Sequence, residues 1–285
     1  MSGRLALIVL MGSTCKLNAQ EIVRFEGDRL VDYQYTAQYS ENATAINQHA
    51  LSAKFGSSTS LGNLRLHLEA NQYHLDFKPG YTGATDDLED AYKMVAGFRL
   101  RTPVNPSSQL EMTFTPELHT LFSAPVRLSD IIPAFALSFR REGSVRNSDF
   151  AVGITYTAAF GRPLLLPYLR FSRRLPNGFG FELGTLRCEL YRTIQRTHGV
   201  RLMVYPEGFY ATRQPYGEGI NKRFDYRMQK VSAAGQYDFR SGANWEAHLR
   251  IGYSFIQRLE SEYEGEAAVQ LPTHSMFFAN FGFNL

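Results

Sequence analysis

The chain has 285 residues, 13% of them aromatic and 20% charged, with 30 Lys and Arg against 27 Asp and Glu. So even a balance excludes the basic stripe with interleaved aromatics that a nucleic-acid partner requires. Beyond the amino-terminal run no stretch approaches an apolar 18-mer, which excludes a helical membrane span.

The first twenty residues, MSGRLALIVLMGSTCKLNAQ, place Arg4 before an apolar run from Leu5 to Met11, then small and polar residues up to Ala19. This order predicts a secretory signal peptide over residues 1–19, with the mature chain starting at Gln20. The run is far too short to cross a bilayer as a helix. A lipid anchor on Cys15 is the rival, although Gly12, Ser13 and Thr14 before it match a leucine-bearing lipoprotein signal poorly. Loss of Arg4 and Lys16 takes the basic count from 30 to 28, against 27 acids, and leaves Cys188 as the only cysteine. No intramolecular disulfide and no multi-cysteine metal site is then available.

From there the chain reads as strands with a period of two. Tyr33, Tyr35, Ala37 and Tyr39 alternate with Asp32, Gln34, Thr36 and Gln38. Leu64, Leu66 and Leu68 alternate with Arg65, His67 and Glu69, and Met94, Ala96, Phe98 and Leu100 with Lys93, Gly97, Arg99 and Arg101. The turn TPVNPSS leads into Leu110, Met112 and Phe114; Phe150, Val152, Ile154 and Tyr156 follow the same rule. Trp245, Ala247, Leu249, Ile251, Tyr253 and Phe255 face away from Glu246, His248 and Arg250. No helical period of useful length intervenes, so the chain is all-β.

The connections alternate in length. GSSTSLG, TPVNPSS, LPNG, QRTHG and RSGAN are short; KPGYTGATDDLED, PELHTLFSAPVRLSD, YPEGFYATRQPYGEGINK and LESEYEGEAAVQLPT fall between them and are long. Short periplasmic turns alternating with longer outside loops, and an apolar face turned to lipid, mark an outer-membrane barrel. Sixteen Tyr and 21 Phe sit mainly on the apolar parity and near strand ends, where interfacial girdles belong. The expectation is a closed antiparallel transmembrane β-barrel over residues 20–285 with about fourteen strands. Twelve is the alternative, because residues 179–194 read either as one bent strand or as two.

The chain closes on FFANFGFNL. Phe277, Ala279, Phe281, Phe283 and Leu285 share one parity, and Asn280, Gly282 and Asn284 the other. An aromatic last strand of this kind resembles the carboxy-terminal assembly signal of Gram-negative outer-membrane proteins, with Phe277, Phe281, Phe283 and Leu285 carrying it to the barrel-assembly machinery. Closure requires this strand to pair with the first, near Val31 to Tyr39, so that no edge stands open in lipid.

The segment FGRPLLLPYLRFSRRLPNGFGFELG, residues 160–184, resembles the central signature of an uncharacterised family of Gram-negative outer-membrane β-barrels. There a Gly-(Arg/Lys)-Pro-Leu-hydrophobic-hydrophobic-Pro turn precedes a strand, a short polar turn and another strand. Gly161 to Pro167 is the specific part. The resemblance implies the fold and an outer-membrane location, and no activity or catalytic residue.

None of the seven histidines, His49, His67, His74, His119, His198, His248 and His274, lies in a catalytic motif. His67 falls between Arg65 and Glu69, and His248 between Glu246 and Arg250, all on the inner parity. An interior polar network is the reading favoured over catalysis, because buried polar groups need partners whatever the function. The acidic runs Asp86, Asp87, Glu89, Asp90 and Glu260, Glu262, Glu264, Glu266 match no established calcium loop and read as solvated charge. No catalytic residue, metal site or cofactor is therefore expected. The chain reads as a non-enzymatic barrel in contact with outer-membrane lipid that passes small solutes or serves a structural or surface role. The alternative is an enzyme acting on lipid or peptide.

Overall fold

The computed structural model describes residues 31–39, 45–59, 62–76, 90–121, 126–143, 147–194, 197–213, 224–241, 245–263, 269–271 and 276–284. The expected signal peptide, Asp86, Asp87, Glu89, Glu264, Glu266 and Leu285 lie outside these residues. The strands are β1 (Val31–Tyr39), β2 (Ala45–Thr59), β3 (Gly62–Asp76), β4 (Asp90–Asn105), β5 (Ser108–Thr120), β6 (Ile131–Glu142), β7 (Ser148–Thr157) and β8 (Leu164–Arg174). They continue as β9 (Phe179–Gly184), β10 (Cys188–Ile194), β11 (His198–Arg213), β12 (Phe224–Ser241), β13 (Trp245–Tyr263), β14 (Val269–Leu271) and β15 (Met276–Asn284). From β1 to β13 each strand pairs antiparallel with the next, β13 pairs with β15, and β15 pairs with β1, from Asp32 opposite Asn284 to Tyr39 opposite Phe277. Fourteen strands thus form a closed ring. Three-residue β14 only extends the far end of β13. The stretch that left twelve strands open is two strands, broken at Thr185, Leu186 and Arg187.

The period-two pattern sets the two faces. Leu66, Leu249 and Ile251 point outward and are 49%, 47% and 59% exposed, while His67, Arg99 and His248 point inward and are each 1% exposed. On β13 the outward run from Trp245 to Phe255 covers ten residue steps, roughly 33 Å along a strand. Tilted by ~40°, that is about 25 Å of depth, the height of the apolar band on an outer-membrane barrel. At its lower margin Trp245 packs on Phe239 at 5.4 Å and Phe283 at 5.5 Å, and His198 bonds the Tyr237 hydroxyl at 2.5 Å. This is the end of the short turns.

At the other end the strands run further than the alternation predicts. β5 continues to Thr120, β11 to Arg213 and β13 to Tyr263, all inside stretches read as long loops. The apolar-out pattern stops there because the faces invert. Ile46, Tyr73, Leu75, Ala91, Phe209, Met228 and Leu259 are buried in one cluster, which lies on the inner face. Outward stand His74 bonded to Asp90 at 3.1 Å, and Arg227 bonded to Glu262 at 2.6 Å. Side chains that would meet water are polar outside, and the enclosed face is apolar, as in a soluble sheet.

Short β9 and β10 leave a gap in the wall, which the β7–β8 turn fills. Ala159 of that turn packs on Leu186 of the β9–β10 turn, with Phe160 and Leu166 against them. Gly161 turns at φ 74°, where a Cβ would lie 2.9 Å from the Met228 carbonyl oxygen; a Cβ on Gly208 of β11 would lie 2.2 Å from the Ala158 oxygen. The Gly-Arg-Pro-Leu signature therefore marks a turn pressed onto its neighbours, with two glycines at the contact.

The lumen as candidate functional site

The inner face of the short-turn half carries a ladder of ion pairs linking neighbouring strands. Arg101 Nε lies 2.5 Å from Glu111, and Arg99 lies 3.6 Å from the same carboxylate. Arg140 grips Asp149 at 2.8 Å through both Nε and Nη2. Arg170 reaches Glu182 at 2.9 Å and Asp149 at 3.9 Å. Arg201 bonds Asp238 at 2.6 Å and approaches Glu189 at 3.9 Å; Arg240 bonds Glu246 at 2.6 Å. Opposite charges on adjacent strands pair laterally along this ladder, which offsets the cost of enclosing them in a ring with no second layer.

Around the closing seam the chemistry changes from charge to amide and hydroxyl. The Asn280 amide donates to Gln34 Oε1 at 2.7 Å, Thr36 Oγ1 at 2.6 Å and the Tyr35 carbonyl at 3.2 Å, and its oxygen meets His248 Nε2 at 3.0 Å. One side chain thus ties β15 to both β1 and β13. Gln48 donates to Asn71 at 3.1 Å, and Asn71 in turn donates to Glu69.

In the long-loop half the lumen narrows. β5 and β11 are not sheet neighbours, yet the Tyr210 N–H donates to His119 Nδ1 at 2.9 Å, and the His119 ring stacks on Phe209 at 5.0 Å. Tyr73 of β3 meets Phe209 edge-on at 5.8 Å. Beneath this bridge Glu117 binds Lys93 at 2.9 Å and His119 at 2.8 Å, and Glu207 binds Lys230 at 2.8 Å. The aromatic contact forms a neck, with paired charges on its wall.

The residues expected in a polar network all lie on the inner face but in two separate groups. Arg65, His67 and Glu69 are on β3, with Arg65 opposite Arg99 and His67 opposite Gly97. Glu246, His248 and Arg250 are on β13, where Arg250 donates to Gln236 at 2.8 Å. Strands β15, β1 and β2 stand between the groups. Of the expected assembly residues, Phe277 and Phe281 project outward, and Phe283 lies half-buried against Trp245. The sequence reading missed the neck. Glu117 and His119 continue the inner parity of Glu111, Thr113 and Thr115, and following that parity past Pro116 would have placed them in the lumen. Among the described residues no group of three or more His, Cys, Asp or Glu stands together as a metal site.

Fold and interior together define a membrane-spanning β-barrel with an ion-paired lumen crossed by an aromatic neck. No protein-family model matches the sequence, and no curated protein aligns with it. Two solved structures of KdgM porin, one in complex with disordered oligogalacturonate, align over 89% of this chain and 98% of theirs, at 8% identity and a TM-score of 0.38. That distant likeness leaves the barrel class resting on the strand pairing described above.

Proposed function

We propose that the chain is a non-enzymatic outer-membrane barrel, exported with its signal peptide removed, whose lumen passes small polar solutes under a size limit set by the neck. The observation that carries this reading is the coincidence of a charged lower lumen with a cross-lumen bridge, His119 to Tyr210 and Phe209, in a closed ring. A lumen of paired charges presents polar walls to a hydrated solute, and the neck is the step that discriminates by size. The outward band of leucine, isoleucine and phenylalanine supports contact with outer-membrane lipid, and the β15 aromatics support recognition by the barrel-assembly machinery.

The test is single-channel recording of the refolded protein in planar bilayers, wild type beside Phe209→Ala. Small discrete steps that grow in the variant are expected. Silent membranes with both proteins, or hydrolysis of phospholipid or peptide by the wild type, would overturn the reading in favour of a structural or enzymatic barrel.

A further inference from the structure

On the outer face of β9 to β12 the wall is hollowed. A groove of about 590 Å³ runs between Phe181, Leu183, Leu190, Leu202, Val204 and Gly235. Strand register sets these residues in rows, with Phe181, Leu190, Leu202 and Gly235 in one and Leu183 and Val204 on either side of Cys188 in the next. Leu183, Leu190 and Leu202 are about half exposed. Gly235 opens the hollow, because a Cβ there would meet only Leu202 Cδ2, at 3.7 Å. Two arginines stand on the same face toward the short turns. Arg173 of β8 lies opposite Phe181, and Arg192 of β10 lies opposite Phe179 and Val200. The Arg192 guanidinium sits 4.7 Å over the Phe179 ring, and Arg173 Nε has no hydrogen-bond partner among the described residues. The carboxylates of this wall are buried on the inner face and already bonded, Glu182 to Arg170, Glu189 to Arg187 and Asp238 to Arg201. Among the described residues neither Arg173 nor Arg192 is ion-paired.

We propose that the groove and its two arginines form a binding site for a phospholipid with an anionic headgroup, its phosphate at Arg173 and Arg192 and an acyl chain along the groove. Each part supplies what the other lacks. An apolar hollow accepts a hydrocarbon chain without regard to its head, and the arginines select the head by its charge. Guanidinium presents paired N–H donors that match phosphate oxygens. Stacking on Phe179 holds the Arg192 plane while leaving its N–H edge available, so less side-chain freedom is lost on binding. An arginine that faces lipid near a strand end extends its charge toward the interface, where headgroups lie. The occupant is a lipid rather than a soluble phosphate because both arginines share their face with the apolar band, and the sheet separates them from the lumen. The assignment rests on the membrane-barrel reading above but not on solute passage, since the site faces away from the lumen.

The test is native mass spectrometry of the refolded barrel in uncharged detergent, titrated separately with dioleoyl phosphatidylglycerol and dioleoyl phosphatidylcholine. The wild type should retain phosphatidylglycerol with roughly tenfold higher affinity than phosphatidylcholine. Arg173→Gln/Arg192→Gln should abolish that preference, and Gly235→Leu, which fills the groove without changing charge, should weaken both lipids. Arg141→Gln, outward at the same end but on β6 opposite Phe150, controls for net charge and should bind as the wild type does. Glycerol phosphate at the lipid concentration, the head without chains, should displace neither lipid. If the double variant does not assemble, Arg192→Gln alone is read, and its preference should be narrower than that of the control. Equal retention of the two lipids by the wild type, an undiminished preference in the Arg173 and Arg192 variants, undiminished binding by Gly235→Leu, or displacement by glycerol phosphate would overturn the site. Conductance without lipid preference rejects the site but not the channel, and preference without conductance does the reverse.

Discussion

The two halves of the barrel use the same strands with opposite polarity. On β3 the outward residues are Leu66 and Leu68 toward the short turns, and Gln72 and His74 toward the long loops; the inward residues pass from His67 and Glu69 to Tyr73 and Leu75. β13 repeats the change, from Leu249 outside and His248 inside to Glu262 outside and Leu259 inside. The polarity of a strand face follows from what it borders. Where lipid lies outside, the outer face is apolar and the enclosed face holds the charges; where water lies outside, the enclosed face takes the apolar side chains. The inversion level locates the upper bilayer margin on the protein. Tyr92, near Gln72 at 3.4 Å, stands beside that margin, as interfacial aromatics do.

Substitutions that ignore the inversion should break the comparison most. The largest effect is expected for Phe283→Asp, which puts a charge on the last strand beside Trp245 and the β15–β1 seam. Unpaired backbone groups at an open seam in hydrocarbon each cost several kcal/mol, so a half-closed barrel should not persist. Membrane fractionation should find the variant missing from the outer membrane, and normal levels of a heat-modifiable barrel would count against the seam as the assembly element.

A smaller, graded effect is expected from one substitution made in both halves. Leu249→Arg, outward within the apolar band, should cost roughly 2 to 4 kcal/mol in a lipid-refolding titration, and Gln72→Arg, outward above the margin, about 0 to 1 kcal/mol. Equal costs would mean that the two outer faces border the same medium. The smallest effect belongs to the wet half. Arg227→Ala removes an ion pair whose partner Glu262 is 40% exposed, so the loss should stay below about 1 kcal/mol and shrink in high salt. A larger, salt-insensitive loss would place that pair out of water.

The lower half of the fold was legible in the sequence because alternation there has one cause. Leu64 to Glu69, Lys93 to Arg101 and Trp245 to Phe255 each announce an apolar outer and a polar inner face, and the aromatic parity of β15 leads to its pairing with β1. Part of the upper half was hidden by the inversion: Tyr210 on β11 and Glu262 on β13 lie where outward residues are no longer apolar, so the pattern reads as loop, whereas on β5 Pro116 interrupts an alternation that runs on through Glu117 and His119. The ion-pair ladder was half legible. The inward parity marks Arg99, Glu111 and Glu246, but their partners depend on register, which no single strand encodes. Asn280 shows the limit best. It stands out only as a polar residue among phenylalanines, and its hold on β1 and β13 exists only once Gln34, Thr36 and His248 are brought to it from distant parts of the chain.

Whether lipid borders one half of the outer surface and water the other is read by nitroxide labels introduced by cysteine in a Cys188→Ser background of the lipid-reconstituted protein. Labels at Leu66, Leu249 and Phe281 should be relaxed more by oxygen than by a water-soluble nickel chelate, and labels at Gln72 and Arg227 should show the reverse. A nickel chelate that reaches all five positions equally would mean that no lipid band surrounds this barrel, and oxygen dominance at all five would erase the margin between its halves.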